Sequence, residues 1–140
     1  AERAKAVEAL LRSDATGFLV VTAPEPEPAR EAVMLGRRLT LEDSHLDGVV
    51  LNRMHALPGS GIGAAAALAD ALAGPVDDPG GLAARACEAL EDARRIALRD
   101  LDLREAVAAR VKAPLTEVPA MADEPVEVAG IAGIARALTG

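Results

Sequence analysis

Aromatic side chains are nearly missing from this sequence: Phe18 is the only one, and there is no Trp or Tyr. The core must therefore be aliphatic, and base stacking on aromatic rings is limited to one position. Cysteine is as scarce. Cys87 stands alone, so an intrachain disulfide and a Cys-x-x-Cys metal pair are both excluded. It lies in an Ala-rich helical stretch, where a thiol serves as a small core residue. Basic residues are outnumbered, with 15 Lys and Arg against 22 Asp and Glu, a formal net charge of −7. An acidic chain without a basic stripe argues against DNA, RNA or an anionic membrane as the main partner. No apolar run reaches the roughly 18 residues of a membrane span. The opening Ala1-Glu2-Arg3-Ala4-Lys5 reads as charged and helical rather than as a secretory signal. These features fit a reducing, cytoplasmic compartment.

Catalytic and metal-binding patterns are thin as well. His45 and His55 are the only histidines, and Asp43 and Asp47 flank His45 without the spacing of a metal set. Ser44 and Ser60 lack a nucleophile-elbow context. Asp77-Asp78 and Asp123-Glu124 read as solvated turns before they read as cation sites. No acid–base or nucleophile–base pair stands at a useful spacing, which leaves a small-molecule enzyme as the weakest reading.

What is present is an aliphatic α/β pattern. The 140 residues, 51% of them hydrophobic, are the size of one domain. The chain is organised around Leu46-Asp47-Gly48-Val49-Val50-Leu51-Asn52-Arg53-Met54. Its run Gly48 to Leu51, with two β-branched residues, predicts a strand buried on both faces of a parallel sheet. Asn52 and Arg53 follow at the carboxyl end, where open α/β sheets bind ligands. The Asn52 amide carries a donor and an acceptor and suits a purine edge. A strand cap that opens a turn is the alternative.

Around this stretch the periodicity predicts a helix over 1–12, with Ala4, Val7, Leu10 and Leu11 on one face. A buried strand, Phe18 to Thr22, follows and ends before Pro24. An amphipathic helix over 28–41 runs through Ala32, Val33, Leu35 and Leu39, with Glu25 and Glu27 near its positive start. The two strands are expected to be parallel, joined by that helix in a right-handed crossover. After Met54 come a glycine loop, an Ala/Leu helix over 64–73 and a break at 74–81. A charged amphipathic helix over 82–99 has Leu82, Ala86, Leu90, Ala93, Ala97 and Leu101 near one face. Residues 102–111 either continue it or form a further short helix. A shorter, more polar strand over 114–119 and a last helix from Val128 to Leu138 complete the pattern. Gly59-Ser60-Gly61-Ile62-Gly63 has the strand-to-helix context of a phosphate loop. It lacks both the Lys-Ser/Thr ending and the GxGxxG spacing, so a hinge is the preferred reading. Three parallel strands make a poor independent sheet with an unpaired edge, which suggests part of something larger.

Leu10-Leu11-Arg12-Ser13-Asp14-Ala15-Thr16-Gly17, followed by Phe18-Leu19-Val20-Val21-Thr22-Ala23-Pro24-Glu25, resembles the ArsA/Get3 family. These are anion-transporting and tail-anchored-protein-targeting ATPases, and the bacterial branch is the most similar. In that family a helix ends in L-L-x-D-P-x-x-T before a strand F-V-V-V-T-x-P-E. Arg30-Glu31-Ala32 stands where the family often has a Glu-Thr pair. Val49-Val50-Leu51-Asn52-Arg53 resembles its V-V-N-Q/R strand. Val118-Pro119, then Asp123-Glu124 and the last helix, resemble its closing strand, adenine-side loop and helix. The blocks cover most of the chain in the family's order, as a C-terminal half.

The resemblance implies the C-terminal part of a deviant Walker A P-loop NTPase fold. That is an α/β fold with a partial parallel sheet of about three strands, flanked by helices. Residues 1–140 would be one C-terminal ATPase fragment with a helical insertion at 57–111. It implies that Asn52, with Arg53 beside it, contacts adenine and that Pro119, Ala120 and Met121 lie along the base. ATP or ADP with Mg2+ would be the cofactor of the complete protein. The insertion would offer a surface to a protein client. These residues hold no GKGGVGKT-like loop, switch aspartate or Walker B equivalent, so the chain alone is expected neither to hydrolyse ATP nor to bind nucleotide tightly. The expected partner is an N-terminal ATPase half or a homologous subunit, in a homo- or hetero-oligomer. The alternative is a stand-alone protein-interaction module without nucleotide hydrolysis, pairing through its sheet edge or its insertion.

Overall fold

The computed structural model describes residues 2–59, 65–121 and 128–139. In chain order these form α1 (Glu2–Leu11), β1 (Gly17–Thr22), α2 (Pro26–Leu41), β2 (His45–Met54), α3 (Ala65–Leu72), α4 (Pro79–Ala108), β3 (Leu115–Pro119) and α5 (Val128–Thr139). The strands make one parallel sheet in the order β1-β2-β3, so the chain is mixed α/β with helices flanking the sheet. It divides into two units. One comprises Ala1–Met54 and Asp100–Gly140, the other His55–Arg99. Among the described residues no helix is long and apolar enough to cross a membrane.

The sheet unit is built on β2. Val49, Val50 and Leu51 are consecutive and all buried, Leu51 completely, so both faces of this central strand are covered. On one face Val20 and Val49 join Ala29, Ala32, Val33 and Leu39 of α2, together with Val107 and Val111. This aliphatic cluster is the core that the composition demands. Gly36 lets α2 approach closely: a Cβ there would lie 3.3 Å from Leu46 and 3.4 Å from Val111. Pro at the first turn of α2 fits a position where no backbone N–H is needed. The helix ends in a Schellman motif. Asp43 takes a left-handed φ of 53°, its N–H reaches the Thr40 carbonyl at 3.4 Å, and Ser44 N–H reaches the Leu39 carbonyl at 2.9 Å.

Several expectations change. The sequence predicts a fully buried β1, but Leu19 and Val21 are 59% and 61% exposed while Val20 and Thr22 are buried. Register puts Leu19 beside Gly48 and Val21 beside Val50, on one face of the sheet. That face is covered at Val50 and Val118 and open at β1, the edge strand. Helix α1 buries nothing, and Val7, Leu10 and Leu11 are exposed. Its spacing makes an apolar face available without supplying a partner for it. Leu35 likewise points outward from α2.

The stretch 82–99 and residues 102–108 belong to one helix, α4, with no Gly or Pro between Gly81 and its end at Ala108; residues 109–111 lie beyond it. It starts at Asp78, whose carboxylate accepts the Gly81 N–H at 2.9 Å, with Pro79 in the first turn. Its buried residues are Ala83, Ala97, Asp100 and Val107, whereas Leu82 is exposed against expectation. Asp100 is completely buried and is partnered. In the helical unit α3 leads to a bridge between Ala73 and Val76, around Gly74 at a φ of 102° that suits glycine. Cys87 is half-buried.

Candidate functional site at the carboxyl rim of the sheet

Because the strands are parallel, their carboxyl ends share one rim. Thr22 pairs with Leu51, Asn52 with Val118, and Met54 with Pro119. Arg53 has no counterpart on β3, and the register shifts there. Its φ of 67° is left-handed, which costs an L-residue with a Cβ about 1–2 kcal/mol. This bulge changes what the strand presents. Strict alternation would turn Arg53 inward after Asn52. Instead Asn52 and Arg53 are both exposed, and Met54 returns to the interior.

The third strand is tied to the same place. Ala120 N–H donates to the Met54 carbonyl at 2.8 Å, carrying the ladder one residue past β3. The structure thus brings Asn52, Arg53, Pro119, Ala120 and Met121 to one end of the sheet, all exposed. The Asn52 amide makes no hydrogen bond and the Arg53 guanidinium no ion pair among the described residues. Together they offer an amide donor and acceptor, a cation and a short apolar wall. Such a rim can hold a planar polar ring with a nearby negative charge. Thr22, which the sequence reading leaves out, ends β1 on the same rim. It is buried, and its hydroxyl donates to the Ala23 carbonyl at 3.5 Å.

Other candidate residues lie apart from the rim. His45 opens β2 at the opposite end, paired with Gly17. Asp78 caps α4, which gives that acidic loop residue a structural role. Residues 60–64 of the glycine loop, and Asp123-Glu124, fall outside the described residues. Among the described residues no group of three or more His, Cys, Asp or Glu could hold a metal ion. The sheet unit also carries grooves, one of which reaches the rim at Thr22. That one, of about 410 Å3, follows the β1 edge, lined by Val20, Val21, Thr22, Glu31 and Leu35 among others. Two more, of about 420 and 340 Å3, run along α2, facing residues 103–110 in the first and residues 110–112 with Leu46 in the second.

The fold and this rim define a parallel α/β unit whose strand ends present a polar pair beside an apolar wall. No protein-family model matches the chain, and no curated protein matches its sequence.

Proposed function

We propose that the chain is the C-terminal portion of an ArsA/Get3-like cytoplasmic ATPase, supplying adenine-side contacts and a helical partner-binding insertion without being catalytically competent alone. The observation that carries this reading is the bulge at Arg53. A strained conformation is kept at a strand end, and its effect is to stand Asn52 and Arg53 side by side at the rim. In this reading the Asn52 amide takes the purine edge, Pro119, Ala120 and Met121 line the base, and Arg53 supplies positive charge. ATP or ADP with Mg2+ is the cofactor of the complete protein, and the metal and phosphate chemistry belongs to the half that carries the Walker A loop. The helices between β2 and β3, about residues 57–111, serve a protein client or partner.

A second reading, a stand-alone interaction module, is favoured by one observation. The edge strand Gly17–Thr22 carries no charge and no proline, the usual devices that protect a sheet edge. Either an N-terminal ATPase half or another subunit would cover it.

Titration of the chain with adenosine and ADP, followed by amide NMR, tests the first reading. Shifts are expected at Asn52, Arg53, Ala120 and Met121, with a Kd of about 1 mM or weaker because the phosphate contacts are lacking. Asn52→Ala should remove the shifts and leave the rest of the spectrum intact. Micromolar ADP affinity, or shifts confined to other elements, would contradict the assignment.

A further inference from the structure

The two grooves between α2 and residues 103–112 adjoin at Arg37 and Arg110, which line both, and together they make a furrow. Its floor is aliphatic, with Ala29, Val33, Ala106 and Val107 in one half and Leu46 and Val111 in the other. Its rim is cationic. Arg30 and Arg37 stand on α2, with Arg110 and Lys112 across from them. Among the described residues no acidic side chain lines it, on a chain whose net charge is −7. Arg30 pairs with Glu27, and Arg110 donates to the Ala106 carbonyl at 2.8 Å. Arg37 and Lys112 make no ion pair among the described residues. Two large apolar side chains on the α2 wall are open to water, Met34 at 64% and Leu41 at 85% exposure.

We propose that this furrow docks an acidic amphipathic helix of a partner protein. Charge and spacing both point to that occupant. Arg30 and Arg37 are seven residues apart, which is two turns, or about 10.5 Å along the helix axis. A ligand helix laid in the furrow matches them with carboxylates at i and i+7, the one at Arg30 taking the place of Glu27, while its apolar stripe meets the floor. The length fits, since α2 has 16 residues and extends about 24 Å. Met34 suits a surface that adapts to a partner's side chains. A second copy of this chain is a poorer occupant. Neither α1 nor α5, which both carry exposed apolar residues, is acidic: α1 balances Glu2 and Glu8 against Arg3 and Lys5, and α5 carries Arg136 and no acidic residue. This docking surface is separate from the strand-end rim and stands or falls independently of the nucleotide reading.

The first test uses fluorescence anisotropy with the full chain and a labelled 18-residue synthetic helix. The probe bears Leu at a, d and e positions and Glu in two flanking rows. Binding should weaken as salt rises, and Arg37→Glu with Lys112→Glu should reduce it about tenfold or more. Arg95→Glu, which does not line the furrow, should leave it unchanged, and circular dichroism checks that each variant folds. Equal binding of the double reversal, or of a Lys-flanked control helix, overturns the proposal. So does concentration-dependent dimerisation that the double reversal abolishes, which would make a second copy the occupant. In cells, a photo-crosslinking residue at Met34 should trap a Glu- and Asp-flanked helical segment. A crosslink to a basic or extended segment overturns the proposal too.

Discussion

Arg53 concentrates the argument at the scale of one residue. Its left-handed backbone is held by the β2–β3 ladder on either side of it, through the pairs Asn52–Val118 and Met54–Pro119. Arg53→Gly removes the Cβ clash but gives the unfolded chain more freedom. The net expected gain is roughly 0.5–1 kcal/mol in urea unfolding, together with weaker adenosine-induced shifts at the rim. A variant less stable than the parent would show that the arginine side chain itself holds the bulge. Asp43 is the contrast. It is also left-handed, but Asp tolerates that region and here it closes a helix. The sequence makes Asn52 legible as a strand-end residue, because Val49 to Leu51 lead straight to it. The bulge is not legible. Nothing in Asn-Arg-Met marks it, since it arises only when two strands 60 residues apart in sequence settle their pairing, as counted from Met54 to Leu115.

At the scale of elements, helix starts are legible to within a turn. The sequence predicts α2 from 28 and α4 from 82, and they begin at Pro26 and Pro79, because a first turn accepts proline and Asp78, read as part of a solvated turn, caps α4. The buried side of α4 is only partly legible: Ala97 is buried as its spacing predicts, but Ala83 and Asp100 are buried, and Leu82 and Ala93 exposed, against the pattern. Burial there depends on neighbours that periodicity cannot name. The end of α2 carries a testable charge effect. Arg38 Nε donates to Glu42 at 2.8 Å, and this bond, with the positive charge behind it, holds the Glu42 carboxyl below its ordinary range. A carboxyl lowered on folding stabilises the fold above its unfolded pKa, and that contribution is lost as pH falls through the folded value. Both side chains are exposed, so the effect on stability is small and salt-sensitive. Titration of the Glu42 carboxyl by NMR should give a midpoint below that of free glutamate, and Arg38→Ala should raise it. Equal midpoints in the two proteins would remove the pair.

For the whole molecule the open β1 edge matters most. Leu19 and Val21 face water on a strand without charge or proline, beside a groove of about 410 Å3. Val21→Lys should change stability by no more than about 0.5 kcal/mol, because the side chain is already exposed. It should lower any concentration-dependent rise in mass seen by light scattering. A parent chain whose mass stays constant with concentration would mean that the edge does not pair with itself. The order of the strands carries another consequence, for synthesis. The sheet is laid down in the order in which it is translated, β1, then β2, then β3. Strands β1 and β2 with α2 between them can meet while residues beyond Met54 are still emerging from the ribosome. Strand β3 must wait until the helices before it have been made. The loop it closes is long, but closure entropy grows only slowly with length. The central strand therefore spends its first moments as a second exposed edge, its outer side awaiting a partner that comes last.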